Sequence, residues 1–298
     1  MKSFKISIIA VVLVGFVAGG LFTITTSRGQ SQASKSEPVA AKAAPAPVKS
    51  VATSSSFAAT RNAELRNDLS WAFGRKAQRG WYLYDSLLSS LLGTDHAPQT
   101  DSFAKALQGW QKKKGLGATG ILDETTLYAI VAEWQGRRLK NKTPATPDQL
   151  LTAPRTDFFD PARVDELRQV ERETYAAYKR MVAAAISDPS LKLAAANGEL
   201  APSERYLKII SSFRSREYQE KLRRESPNAG SAGLAVNSPH FSGRALDIYV
   251  GGEPVDTNDR NRAIQVQTPV YQWLVRNAER FGFRPYYYEP WHWEYVGN

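Results

Sequence analysis

The sequence predicts an α+β fold: a small antiparallel sheet with flanking helices, preceded by a small all-helical domain and an amino-terminal membrane segment. Three observations predict it. Short alternating runs carrying histidine and acid cluster near the carboxy terminus; helical periodicity broken by glycines fills the stretch before them; and an uncharged apolar run follows Lys2 and Lys5. At 298 residues the chain allows about two domains once tails are set aside. A hydrophobic share of 42% and a charged share of 23% exclude global disorder and a polytopic membrane protein. Cysteine is absent, which excludes disulfide frameworks, thiol nucleophiles and thiolate zinc sites, so any metal must be held by His, Asp or Glu. Lys plus Arg outnumber Asp plus Glu by 39 to 29, a net charge of +10 that suits an anionic partner such as nucleic acid, a membrane surface or an acidic wall polymer.

The elements follow in chain order. Residues 1–27 read as a signal anchor or signal peptide: Lys2 and Lys5 precede an apolar run from Ile6 to Thr25, and the next charge is Arg28. An uncleaved anchor is the favoured reading, and either reading sends the remainder across a membrane. Residues 28–56 are rich in Ala, Ser, Pro and Lys and bury too little apolar surface to offset ordering entropy, so they read as a flexible linker.

Residues 57–143 read as the helical domain. Phe103, Leu107 and Trp110 recur at helical spacing, Gly115, Gly117 and Gly120 break the pattern, and Asp123 or Glu124 opens a second helix toward Leu127, Ile130, Val131 and Trp134. Trp110, Gln111, Gly115, Leu116, Gly120, Thr125 and Leu127 give this stretch a pattern that resembles the peptidoglycan-binding domain family. The resemblance implies a wall-binding module; a helical spacer without a ligand is the alternative. Lys112, Lys113 and Lys114 suit an anionic polymer or form a solvated face. His96 has no partner pattern.

Pro144, Pro147 and Pro154 mark a second connection, and the last domain spans 155–298. The sequence predicts a helix capped by Asp160, started by Pro161, with Val164, Leu167, Val170, Thr174, Tyr178, Met181 and Ala185 on its buried side. The apolar run Leu207–Phe213 reads as a strand that presents Arg214 at its end, followed by a Ser-initiated helix. In "RALDIYV", Leu246, Ile248 and Val250 alternate with Ala245, Asp247 and Tyr249, which sets Asp247 on one face of a strand. His240 lies seven positions earlier, with Ser242 and Gly243 between them to make a turn. A last strand-like run places His292, Glu294 and Val296 on one face and Trp291, Trp293 and Tyr295 on the other. Before it, Thr268 caps and Pro269 starts a helix that buries Val270, Trp273, Leu274, Ala278 and Phe281 and ends at Gly282.

Two neutral imidazoles and one carboxylate, His240, His292 and Asp247, suit Zn²⁺ with a fourth position left open, the arrangement of a catalytic site. Zinc lowers the pKa of a bound water to roughly 7, and Glu289, three residues before His292, is the natural base. Arg214 is the candidate cation for the oxyanion of a tetrahedral intermediate.

The motifs "SSFRS", "SPHFSGRALD" and "EPWHWEYVG" stand in an order and spacing that resemble the zinc D-alanyl-D-alanine carboxypeptidases of the vancomycin-resistance (VanY) type, over about residues 160–298. The resemblance implies zinc ligation by His240, Asp247 and His292, base catalysis by Glu289, transition-state stabilisation by Arg214, and positions near the substrate for Ser238 and Gln219. Pro239 and Phe241 replace the family's flanking Glu and Gln, and Arg244 stands where a small residue is common. Those departures leave open whether the pocket closes over a terminal carboxylate, for carboxypeptidase action, or admits endopeptidase cleavage. The expected partners are peptidoglycan stem peptides at the site, wall glycan or an anionic polymer through the helical domain, and a membrane through the amino-terminal segment. That places the protein in the bacterial cell envelope. A non-catalytic wall-binding protein is the rival; a nucleic-acid partner is not expected, because no basic stripe interleaves with aromatics.

Overall fold

The computed structural model describes residues 55–74, 76–225 and 237–297. The expected membrane segment and nearly all of the expected linker lie outside these residues. Among the described residues no helix is long and apolar enough to cross a membrane.

The first module comprises α1 (Ser55–Asp68), a hairpin of β1 (Ser70–Phe73) and β2 (Lys76–Arg79), α2 (Asp85–Leu92), α3 (Asp101–Lys113) and α4 (Glu124–Gly136). It is therefore not all helical: β1 and β2 pair antiparallel from Ser70↔Arg79 to Phe73↔Lys76. Of the two expected openers of α4, Asp123 is the cap, accepting from the Thr126 N–H, and Thr100 caps α3 by accepting from the Phe103 N–H. The glycine turn between them is fixed by two buried amides. Gln111 Nε2 donates to the Ile121 carbonyl and the Thr126 hydroxyl, and its Oε1 accepts from the Gly120 N–H at 2.8 Å. From α1, Asn62 donates to the Gly120 carbonyl and accepts from the Leu122 N–H, each at 2.8 Å. Gly120 is required here: its φ is +72° and a Cβ would lie 2.8 Å from the Ala104 carbonyl oxygen. Thr126 is buried and bonded, whereas Thr125 is exposed.

The second module contains a hairpin-like pair, β3 (Leu150–Thr152) with β4 (Gln169–Glu171), then α5 (Arg172–Ile186), a small pair β5 (Ala195–Ala196) with β6 (Glu199–Leu200), β7 (Ile209–Ser211), α6 (Arg216–Glu225), β8 (Ala245–Ile248), α7 (Asp259–Val266), α8 (Pro269–Asn277), β9 (Phe283–Tyr286) and β10 (Glu289–Tyr295). The principal sheet has the order β7-β8-β10-β9 with every pairing antiparallel, so the architecture is α+β. The helix expected from Asp160 starts later. Asp160 caps a single turn through the Ala162 N–H, Val164 is 53% exposed, and Val170 pairs with Leu151 in a strand. Glu171 is the true cap, accepting from the N–H groups of Glu173 and Thr174, after which Thr174, Tyr178, Met181 and Ala185 are buried as expected. Thr268 and Pro269 start α8, and the last turn to Gly282 tightens to a 3₁₀ helix.

The two modules share one continuous apolar core. Tyr287 lies against Phe73, Tyr84 and Trp134 with ring centroids 5.2, 5.6 and 5.6 Å away, and α2 packs on α8. Arg262 in α7 donates to the Tyr84 hydroxyl at 3.0 Å and lies over the Tyr288 ring. The tyrosines and tryptophans near the carboxy terminus are thus core, with Tyr287 and Tyr288 forming the floor on which the first module sits.

Candidate metal centre

Strand register builds the centre. On β10, His292 sits opposite Asp247 of β8, and Asp247 in turn sits opposite Ser211 of β7. Three neighbouring strands therefore bring an imidazole, a carboxylate and the strand end before Arg214 into one row. His240 enters from the side, on a 3₁₀ helix (Pro239–Ser242) that Ser238 caps and that turns back at Gly243, φ +68°. This turn lets His240 reach the strand, as the Ser-Gly spacing predicts. The three expected ligand residues are buried, and each offers a ligand atom within 4.8 Å of the other two.

Hydrogen bonding fixes which atoms face inward. His240 Nδ1 lies 2.7 Å from the Ser212 carbonyl, which can only accept, so Nδ1 carries the proton and Nε2 presents a lone pair to Asp247 Oδ2 at 3.4 Å. His292 Nε2 lies 3.3 Å from Glu294 Oε1, and its Nδ1 lies 2.9 Å from Asp247 Oδ1. Both partners are carboxylates. A proton or a metal ion must therefore stand between Nδ1 and Asp247. Burial alone would lower His292, but the bonds to Asp247 and Glu294 push it up to about 9. Burial would likewise raise Asp247, yet the two imidazoles hold its carboxyl well below the usual carboxylate range. Burial lowers His240, which keeps it neutral and able to ligate.

The donor set fits zinc. Ligand atoms ~2.0–2.2 Å from a tetrahedral ion lie about 3.3–3.6 Å apart; His240 Nε2 stands 3.4 Å from Asp247 Oδ2, within that range, and His292 Nδ1 stands 2.9 Å from Asp247 Oδ1, a little inside it. The outer partners fit as well: a backbone carbonyl orients one imidazole and a carboxylate the other, the arrangement usual around zinc-bound histidines.

Glu289 is fully buried, and neither carboxylate oxygen has a hydrogen-bond partner among the described residues. Burial pushes it up to about 8, partly relieved by His292. In a regular strand Glu289 and His292 would face opposite sides. The register of β10 against β9 shifts between Glu289 and Trp293, which breaks the alternation, and the Glu289 carboxylate interacts electrostatically with His292 and Asp247. Arg214 is half-buried, and burial pulls it below its ordinary value while Asp247 and Glu289 pull the other way. Its Nη1 donates to Gln219 Oε1 at 2.9 Å, its Nη2 to Ser211 Oγ at 3.3 Å, and its backbone N–H to the His240 carbonyl. Ser238 Oγ accepts from the His240 N–H at 3.3 Å. Gln219 and Ser238 therefore touch Arg214 and His240 directly. His96 is exposed in a loop, apart from this cluster.

Sequence reasoning placed Glu294 on the His292 face but assigned it no part in the site. The Ser212 carbonyl and Arg138 had no sequence signal: a backbone acceptor has no residue signature, and Arg138 meets Glu294 from 156 positions away.

Residues 168–298 match the sequence profile of the family VanY: D-alanyl-D-alanine carboxypeptidase. The VanY match contains His240, Asp247, His292, Glu289, Arg214, Gln219 and Ser238, and it begins after the first module. Among solved structures the chain is similar to the LdcB LD-carboxypeptidase, whose structure concerns the molecular basis of peptidoglycan recognition: identity is 21%, coverage is 53% of this chain and 72% of that one, and the TM-score is 0.37. No curated protein matches the chain.

Proposed function

We propose that the second module is a zinc-dependent carboxypeptidase that hydrolyses the terminal D-Ala-D-Ala bond of peptidoglycan stem peptides. One observation carries this reading: three buried ligand atoms converge within 4.8 Å of one another, with Glu289 beside them, a buried carboxylate whose two oxygens have no hydrogen-bond partner among the described residues. The VanY match over the same residues supports it. His240 through Nε2, His292 through Nδ1 and Asp247 would hold the ion. Bound zinc supplies a Lewis acid that polarises a carbonyl and makes water nucleophilic near neutral pH.

The chain's own residues supply the rest. Glu289, buried beside the ligand residues and in its carboxylate form, accepts the proton of the attacking water and returns it to the departing amine of D-alanine. The Arg214 guanidinium, held by Gln219 and Ser211, donates to the oxygen on which negative charge develops. Gln219 and Ser238 act on the substrate side through the residues they hold. Tyr286, buried with its ring centroid 5.9 Å from that of His292, keeps bulk water from that side of the imidazole.

The partner readings extend this. Lys112 and Lys113 are exposed on the first module and suit a wall glycan or anionic wall polymer, and the amino-terminal segment would keep the protein at the membrane in the cell envelope.

The test is release of D-alanine from a synthetic pentapeptide stem by the full chain loaded with zinc. A strong chelator or His240→Ala should abolish release while the circular dichroism spectrum is kept. Release undiminished by either treatment refutes the zinc mechanism, and cleavage at an internal bond, read by mass spectrometry, refutes the carboxypeptidase reading.

A further inference from the structure

The metal centre lies wholly in the second module, yet one of its supports comes from the first. Arg138 follows the end of α4. Its Nε and Nη2 both donate to Glu294 Oε1, at 3.1 and 2.5 Å, and the adjoining Leu139 N–H donates to Glu294 Oε2 at 2.9 Å. The Glu294 side chain is wholly buried and that of Arg138 is 13% exposed. Glu294 Oε1 in turn faces His292 Nε2 at 3.3 Å. The guanidinium also stacks 3.9 Å over the Tyr286 ring, whose plane stands nearly perpendicular to the His292 ring, centroids 5.9 Å apart. A little further along the same connection, the Ala145 N–H donates to the Phe241 carbonyl, next to His240.

We infer that Arg138 is a positioning residue for the metal centre, acting through Glu294 to fix the His292 ring so that Nδ1 points at Asp247 and His240. A buried carboxylate left without its guanidinium would have only a backbone N–H and the imidazole for partners, and would reorient. It would then no longer lock the imidazole. Outer partners of this kind are worth ~10–100-fold in metal affinity. The inference rests on the zinc reading above and adds that the first module completes the site in which the ion is held.

The test measures zinc affinity of the full chain by competition with a chromogenic chelator, independently of turnover. Arg138→Gln, which keeps the first two methylenes of the stem and removes the guanidinium, is expected to bind zinc ~10–100-fold more weakly, and Glu294→Gln similarly. Arg138→Lys, which keeps the charge but loses the two-pronged contact, falls between Arg138→Gln and the unmodified chain. Excess zinc restores most of the turnover of Arg138→Gln. Tyr84→Phe removes the Arg262 hydrogen bond across the same two modules without touching Glu294, and keeps its zinc affinity within twofold. Folded Arg138→Gln with unchanged affinity overturns the inference. So does an equal loss in Tyr84→Phe, which would mean that module docking alone matters. If Arg138→Gln does not fold, Glu294→Gln decides by the same criterion. Failure of the unmodified chain to bind zinc overturns the zinc reading itself, and the inference with it, and is a separate outcome from the other two.

Discussion

Arg214 offers the sharpest test of how the site works. A guanidinium has five N–H donors in a rigid fork. Gln219 takes one through Nη1 and Ser211 one through Nη2, so the side chain is aimed while three donors stay free of those two acceptors. If one or two of these meet the oxyanion as it forms, removing them should cost what an oxyanion-hole donor costs, ~10²–10³ in kcat or about 2.7–4 kcal/mol. Arg214→Met keeps a similar apolar stem and removes the donors. The expected result is kcat down by that factor with KM changed less than about threefold and zinc content intact, because an interaction made only in the transition state lowers kcat and kcat/KM together. Arg214→Lys should recover a small part of the loss, since a single ammonium cannot reproduce a fork held on two sides. The assay is initial-rate D-alanine release over a range of pentapeptide concentrations. A raised KM at unchanged kcat would refute the reasoning, because Arg214 would then bind the ground state and the transition state equally.

Glu289 gives a stability prediction with a definite sign. Burial raises its carboxyl from 4.5 to about 8, so the stability it contributes is fully present below the lower value and is lost as pH rises through the upper one. In chelator-treated protein, Glu289→Gln should therefore gain melting temperature relative to the unmodified chain between pH 4.5 and pH 8.5, and a pH-independent difference would refute this assignment. In the first module, Gly120→Ala adopts a left-handed conformation costing ~1–2 kcal/mol and pushes a methyl to 2.8 Å from the Ala104 carbonyl oxygen. Urea unfolding should show a lower midpoint, and an unchanged midpoint would mean that the turn between α3 and α4 is not as tightly closed as Gln111 and Asn62 make it.

Much of the site was legible because its chemistry is local. His240 and Asp247 are joined by one turn, and the alternation along β10 put His292 on a defined face. Asp123 and Thr268 cap helices through side chains within the next few residues, so their pattern could be read directly. The misread elements are those decided by distant partners. Asp160-Pro161 is a sound local start signal, but Val170 is taken by Leu151 in the β3–β4 pair, and the helix waits for Glu171. The β1–β2 hairpin was missed because "KAQR" shows no apolar alternation; its four residues are held by backbone bonds to β1. The Gln111 of the glycine-turn motif emerges as a structural amide whose bonds close the turn. The irregular register that frees Glu289 from strict alternation arises from pairing with β9, which no spacing within β10 could reveal.

The aromatic floor under the first module bears on how this protein could be shortened. The proline-marked connection suggests a place to cut, and a chain begun at residue 155 would keep every residue proposed to meet zinc or substrate. It would also open Tyr287 and Tyr288 to water where Phe73, Tyr84 and Trp134 now cover them. The helices are thus no interchangeable cassette. A smaller version would need those two tyrosines repainted polar and a new cation grafted beside Glu294, two separate repairs for one deletion.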